Sequence, residues 1–108
     1  MNTKNFELSN SLKINLDKQL KINNEIISLP KGHINTLYRN GKGYYYLTYR
    51  NGYKICNEYL GPVGKVDLSD ILEKLNQRLK LKKELSELKK EETRINKLIK
   101  KVNDTSQK

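Results

Sequence analysis

Two glycine-bearing turn signals, Asn40-Gly41-Lys42-Gly43 and Asn51-Gly52, interrupt a run of β-forming residues over 34–61. Asn-Gly between β-formers marks a hairpin, because a type I′ turn needs positive φ at both central residues. The run therefore predicts a three-stranded antiparallel meander over about 34–39, 44–50 and 53–60. Six of the seven tyrosines fall between Tyr44 and Tyr59, so this small sheet is also the aromatic centre of the chain.

A two-residue loop at Asn51-Gly52 pairs Arg50 with Tyr53, Thr48 with Ile55, Tyr46 with Asn57 and Tyr44 with Tyr59. Directly opposed residues share a face, so the sheet has two different sides. One carries Tyr45, Leu47, Tyr49, Lys54, Cys56, Glu58 and Leu60. The other carries Tyr44, Tyr46, Thr48, Arg50, Tyr53, Ile55, Asn57 and Tyr59. A four-residue first loop adds Arg39 and Asn35 to the second side, and Ile34 and Tyr38 to the first. Leu47, Cys56, Leu60, Ile34 and Tyr38 form the expected core face. The second side is polar and aromatic.

Everything outside the meander reads as helix, which gives an α+β fold. Its parts are an N-terminal helix within 1–30, the sheet within 31–64 and a long C-terminal helix within 65–108, all in one small domain. A three-stranded sheet needs its apolar face covered to be stable, usually by a helix. In the first segment Leu12, Leu16, Leu20, Ile22, Ile26 and Ile27 occupy one half of a helical wheel with Leu8 and Leu29. Phe6 and Ile14 fall outside it. Residues 1–5 are expected to fray, Ser9 or Asn10 to cap the helix, and Leu29-Pro30 to end it. Asp67 is the expected cap of the last helix. There Leu68, Ile71, Leu72, Leu75 and Leu79 form one stripe, suited to cover the sheet. Then Leu81, Leu85, Leu88, Glu92, Ile95, Ile99 and Val102 follow 4-3 spacing, a heptad seam with one acidic interruption. The second stripe lies about half a turn from the first. A continuous helix would thus face two neighbours; a break near Lys80 is the alternative. The seam is expected to pair with the N-terminal helix or with another copy of the chain, Glu92 meeting Lys or Asn or ending the pairing. Residues 103–108 read as a polar tail.

The net charge is +10, which favours an anionic partner, nucleic acid before a membrane surface. The excess is concentrated in the sheet: residues 31–65 carry six Lys or Arg against one Glu. No run of about 18 apolar residues is present, so no membrane span is expected. The opening MNTKNFELSN lacks the apolar stretch of a signal peptide. One cysteine cannot build a disulfide framework and fits a cytoplasmic location. His33 and Cys56 are the only residues of their types. A triad or a metal site needs more ligands than these, so no catalytic residue, metal or cofactor is expected. The glycines match no phosphate-loop spacing.

The pattern Leu29-Pro30-Lys31-Gly32, Gly43-Tyr44-Tyr45-Tyr46-Leu47-x-Tyr49-Arg50-x-Gly52-x-Lys54 and Tyr59-Leu60-Gly61-Pro62, followed by a charged helix, resembles a group of small basic bacterial and archaeal proteins. That group is uncharacterised and implies no activity. The sheet-then-helix order is also distantly similar to the three-stranded DNA-binding modules of tyrosine recombinases and of plant APETALA2-type factors. That likeness implies a sheet face entering the major groove, with Arg39, Tyr44, Tyr46, Thr48, Arg50 and Asn57 on it. The first expectation is a small nucleic-acid-binding protein, DNA or RNA, dimeric through its helices. Its contact residues would be Arg39, Lys42, Tyr44, Tyr46, Thr48, Arg50, Tyr53, Lys54 and Asn57. A second is a phage or mobile-element inhibitor of the anti-CRISPR type, docking on a host nucleoprotein. A third is a coiled-coil scaffold capped by the sheet.

Overall fold

A computed structural model describes residues 3–106. The element order is α1 (Thr3–Ser28), β1 (His33–Arg39), β2 (Lys42–Asn51), β3 (Lys54–Pro62) and α2 (Ser69–Ser106). The strands form one antiparallel sheet in the order β1-β2-β3. The expected α+β arrangement is therefore present. The chain divides into two compact units, Met1–Ser28 with Lys80–Lys108, and Leu29–Leu79.

In the first unit the seam is narrower than the apolar arc of α1. Leu8 and Leu12 are half-buried, and Asn15, Gln19, Ile22 and Ile26 are buried. These positions step by 4-3-4-3-4, the spacing of a coiled-coil contact. Leu16, Leu20 and Ile27, expected on the buried side, are exposed, as are Phe6 and Ile14. On α2 the predicted seam holds: Ile95 is buried, and Leu81, Leu85, Leu88, Glu92, Ile99 and Val102 are half-buried. The seam of α2 thus pairs with α1 of its own chain, through hydrogen bonds from Asn15 and Gln19.

Glu92 explains why polar residues displace leucines from the seam of α1. Gln19 Nε2 donates to Glu92 Oε1 at 2.7 Å and to Asn15 Oδ1 at 2.6 Å. Asn15 Nδ2 donates to the Leu88 carbonyl at 2.9 Å and to Glu91 Oε1 at 3.2 Å. Asn15 is only 1% exposed, so its amide depends on these partners. A half-buried carboxylate is costly without donors, and the two amides supply them. Glu92 therefore meets Gln19 rather than Lys, and pairing continues beyond it to Val102.

The helices are longer than expected. α1 starts at Thr3, ahead of Ser9 and Asn10, which lie inside it and cap nothing; α2 runs through residues 103–106. It does not break at Lys80. The buried phase slips instead, stepping 75, 78, 81, 85, so Arg78 takes the place expected of Leu79. Arg78 Nη1 donates to the Leu29 carbonyl at 3.1 Å, and Leu72 and Leu79 stay exposed. Asp67 caps α2 as expected, accepting the Ser69 N–H at 2.9 Å.

Both hairpins differ from the expected register by two residues. The first turn is Asn40-Gly41, with φ of 53° and 77°, the type I′ pattern. It pairs Arg39 with Lys42, Leu37 with Tyr44 and Asn35 with Tyr46. The second turn is Gly52-Tyr53, and it pairs Asn51 with Lys54 and Thr48 with Asn57. Only its first central residue, Gly52, has positive φ, at 65°; this is the type II′ pattern, with glycine where that turn requires it. A shift of two preserves side-chain parity, so the two faces are nearly those expected. A bulge opposite Tyr45 and Tyr46 leaves Leu60 unpaired, with Tyr46 against Tyr59 and Tyr45 against Gly61. Leu47, 3% exposed, is the centre of the core face. Tyr38, expected in that core, is exposed.

Three tests follow from these contacts. Gln19→Leu leaves Glu92 and Asn15 Oδ1 without their donor, and should cost about 1–3 kcal/mol in urea denaturation. Replacing Asn15, Gln19 and Glu92 together by Leu should instead raise the melting temperature. The Asp67 carboxyl is held below its ordinary value by hydrogen bonds from the Ser69 backbone and hydroxyl. A lowered carboxylate stabilises the fold above its unfolded pKa and ceases to as pH falls through the folded value. Asp67→Ala should therefore lower the melting temperature at neutral pH, and the difference from the parent should shrink as pH falls below about 4.

Candidate nucleic-acid interface

The sheet face opposite Leu47 is assembled row by row from the strand pairing. His33, Thr48 and Asn57 form one row, and Asn35, Tyr46 and Tyr59 the next. Leu37, Tyr44 and Pro62 make a third, and Arg39 with Lys42 the last. Arg50 and Ile55 extend the face at its other end. From Lys42 to Arg50 the central strand runs roughly 26 Å.

Hydrogen bonds cross all three strands here. Asn35 Nδ2 donates to Thr48 Oγ1 at 2.6 Å, and the Thr48 hydroxyl donates to Asn57 Oδ1 at 2.7 Å. Thr48 is thereby used as both acceptor and donor. The Asn35 carbonyl oxygen and the Asn57 amide nitrogen remain as one acceptor and one donor at the two ends of the ladder. Beside it the aromatic rings gather. Tyr59 lies 5.4 Å from Tyr46 and 6.3 Å from Tyr44, tilted by 54° and 51°. Such tilted pairs hold their rings in fixed orientation. Tyr59 stays 54% exposed, so the cluster presents ring surface to solvent.

The electrostatics of the face are one-sided. Arg39, Lys42 and Arg50 are exposed, and none belongs to an ion pair among the described residues. Glu58, the one acid in 31–65, pairs with Leu47 and belongs to the opposite side. A surface with three uncompensated cations and no carboxylate attracts anions.

Seven of the nine expected contact residues share this face: Arg39, Lys42, Tyr44, Tyr46, Thr48, Arg50 and Asn57. Two do not. Tyr53 stands in the Gly52-Tyr53 turn, fully exposed, because the turn lies one residue later than Asn51-Gly52. Lys54 pairs with Asn51 and falls on the side of Tyr49 and Cys56. Tyr59 and Asn35 belong to the site although neither was among the nine. Parity already put both on this side; the bulge that brings Tyr59 against Tyr46 has no signal in the residues themselves.

His33 is exposed and Cys56 half-buried. Among the described residues no three His, Cys, Asp or Glu side chains gather to hold a metal ion, and no helix is long and apolar enough to cross a membrane. Comparison with protein-family models, curated proteins and solved structures gives no match.

Thr48→Val removes both hydrogen bonds of the ladder while keeping the shape of the side chain. It should lower stability by about 1 kcal/mol in urea denaturation, since the freed amides regain water.

Proposed function

We propose that this protein binds nucleic acid on the open face of its sheet. The observation that carries the reading is the composition of that face. It joins three uncompensated cations, two tyrosines that each pack against a third, Tyr59, and a polar ladder on one sheet face. Arg39, Lys42 and Arg50 take phosphates, which supply affinity without sequence information. Tyr44, Tyr46 and Tyr59 take base or sugar faces by stacking, a contact that tolerates any base. Asn35 and Asn57 offer an acceptor and a donor to base edges or to sugar hydroxyls.

The rival chemistry is a protein partner, because Tyr and Arg are also the residues that dominate protein interfaces. The same face would then dock on a host nucleoprotein, as an inhibitor from a phage or mobile element would. The two readings separate in their dependence on salt.

Fluorescent single-stranded DNA, single-stranded RNA and duplex DNA are titrated at several salt concentrations. Three phosphate contacts on a single strand predict a slope of log affinity against log salt of about −2. The triple variant Arg39→Ala, Lys42→Ala, Arg50→Ala should abolish most of that slope. Lys54→Ala, on the opposite side, should leave it nearly unchanged. Weak binding with a flat slope, alike in parent and triple variant, would contradict the proposal and direct attention to a protein partner.

A further inference from the structure

At the end of the sheet nearest the Asn40-Gly41 turn there is a pocket of about 530 Å³. Its size lies within the range of small-molecule sites. Tyr38, Lys42, Tyr44, Pro62, Val63 and Lys65 surround it, with Gly43 among them. No acid lines it, and neither lysine is in an ion pair among the described residues.

Gly43 is what lets this pocket exist. Tyr38 and Tyr44 lie on opposite sides of the sheet, since Tyr38 is paired with Gly43 and Tyr44 follows it. They reach one cavity because no side chain stands between them. A Cβ on Gly43 would come within 2.7 Å of Val63 Cγ2 and 2.9 Å of Tyr38 Cε1. The segment after β3 is folded back over this glycine. The Val63 N–H donates to the Gly43 carbonyl at 2.9 Å, and the Lys65 N–H to the Pro62 carbonyl at 3.2 Å. Those two bonds hold the turn that carries Lys65, which lines the pocket together with Lys42.

The lining has two parts with different chemistry. Tyr38, Tyr44, Pro62 and Val63 offer flat or apolar surface, 71% of Tyr38 being exposed. Lys42 and Lys65 offer two ammonium groups. A planar ring bearing a phosphate satisfies both parts; a free phosphate uses only the lysines, and an apolar ring only the walls. We infer that this pocket binds one nucleotide of a single strand, its base against the tyrosines and its phosphate between Lys42 and Lys65. The inference rests on the proposed nucleic-acid reading of the sheet and deepens it. A base can enter such a pocket only when unstacked, which selects single strands, loops or ends over intact duplex. The face itself continues from the pocket through Tyr44 and Lys42, so the rest of the strand would pass over Tyr46, Tyr59 and the ladder.

The test is a nitrogen-15 amide titration of the full chain with three probes: a six-nucleotide single strand, a free nucleoside monophosphate, and inorganic phosphate. The single strand should shift the amides of Gly43, Val63 and Lys65 together with those of Thr48 and Asn57. The monophosphate should shift the first group alone, and phosphate at the same concentration should shift it far less. Tyr38→Ala with Lys65→Ala should weaken the single strand about tenfold or more, the effect of losing one stacked base, without loss of the native spectrum. If the strand shifts Thr48 and Asn57 but leaves Gly43, Val63 and Lys65 unmoved, the pocket assignment is wrong and the face reading survives. If phosphate reproduces the monophosphate shifts, the pocket is an anion site and recognises no base. If no probe moves either group, both readings fall.

Discussion

The burial of Leu47 on the central strand is the constraint on which the sheet depends. Side chains alternate along β2, so fixing Leu47 inward turns Tyr44, Tyr46, Thr48 and Arg50 outward together. Pairing on both edges then recruits Asn35, Leu37 and Arg39 from β1 and Asn57 and Tyr59 from β3. No residue of that outer face needs its own reason to be there. A slip of one residue in either hairpin would bury part of the set and expose part of the core. The two turns protect against this. Asn40-Gly41 and Gly52-Tyr53 both close two-residue loops, whose twist matches that of the strands they join.

That logic explains which parts of the molecule were legible in the residues. Strand number, order and the content of the two faces followed from turn residues and period-two alternation. They survive even though the pairing in both hairpins differs by two residues from the expected register, because parity is unchanged by an even shift. The second turn was misplaced because Asn51-Gly52 is a strong type I′ signal, whereas Gly52-Tyr53 uses only the glycine. Tyr53 was lost from the face for that reason alone. The bulge at Leu60 left no local mark, and with it went the contact between Tyr46 and Tyr59. Lys54 was expected to serve the site for its charge, although the strand parity already put it on the other side.

The seam of α2 is legible in the residues, and that of α1 only at Leu8, Leu12, Ile22 and Ile26. A seam of Leu and Ile at 4-3 spacing identifies itself. The seam of α1 runs through Asn15 and Gln19, which an apolar wheel discounts, and Leu16 and Leu20 lie exposed beside the contact instead. The reason lies on the other helix, where Glu92 demands hydrogen-bond donors. A buried polar layer of this kind stabilises little by itself, but it penalises every register that leaves Asn15, Gln19 and Glu92 apart. On this account the layer fixes how the helices align, while within the sheet unit Arg78 donates to the Leu29 carbonyl.

The central claim is that the side of the sheet carrying Tyr44, Tyr46 and Tyr59 meets nucleic acid, Tyr38 being reached only past Gly43 at its end. Ultraviolet crosslinking of the protein to a single-stranded oligonucleotide, followed by peptide mapping, tests it most directly, because tyrosines stand on both sides of β2. The account predicts crosslinks at Tyr44, Tyr46 or Tyr59. Crosslinks confined to Tyr45 and Tyr49, or to the lysines of α2, would contradict it.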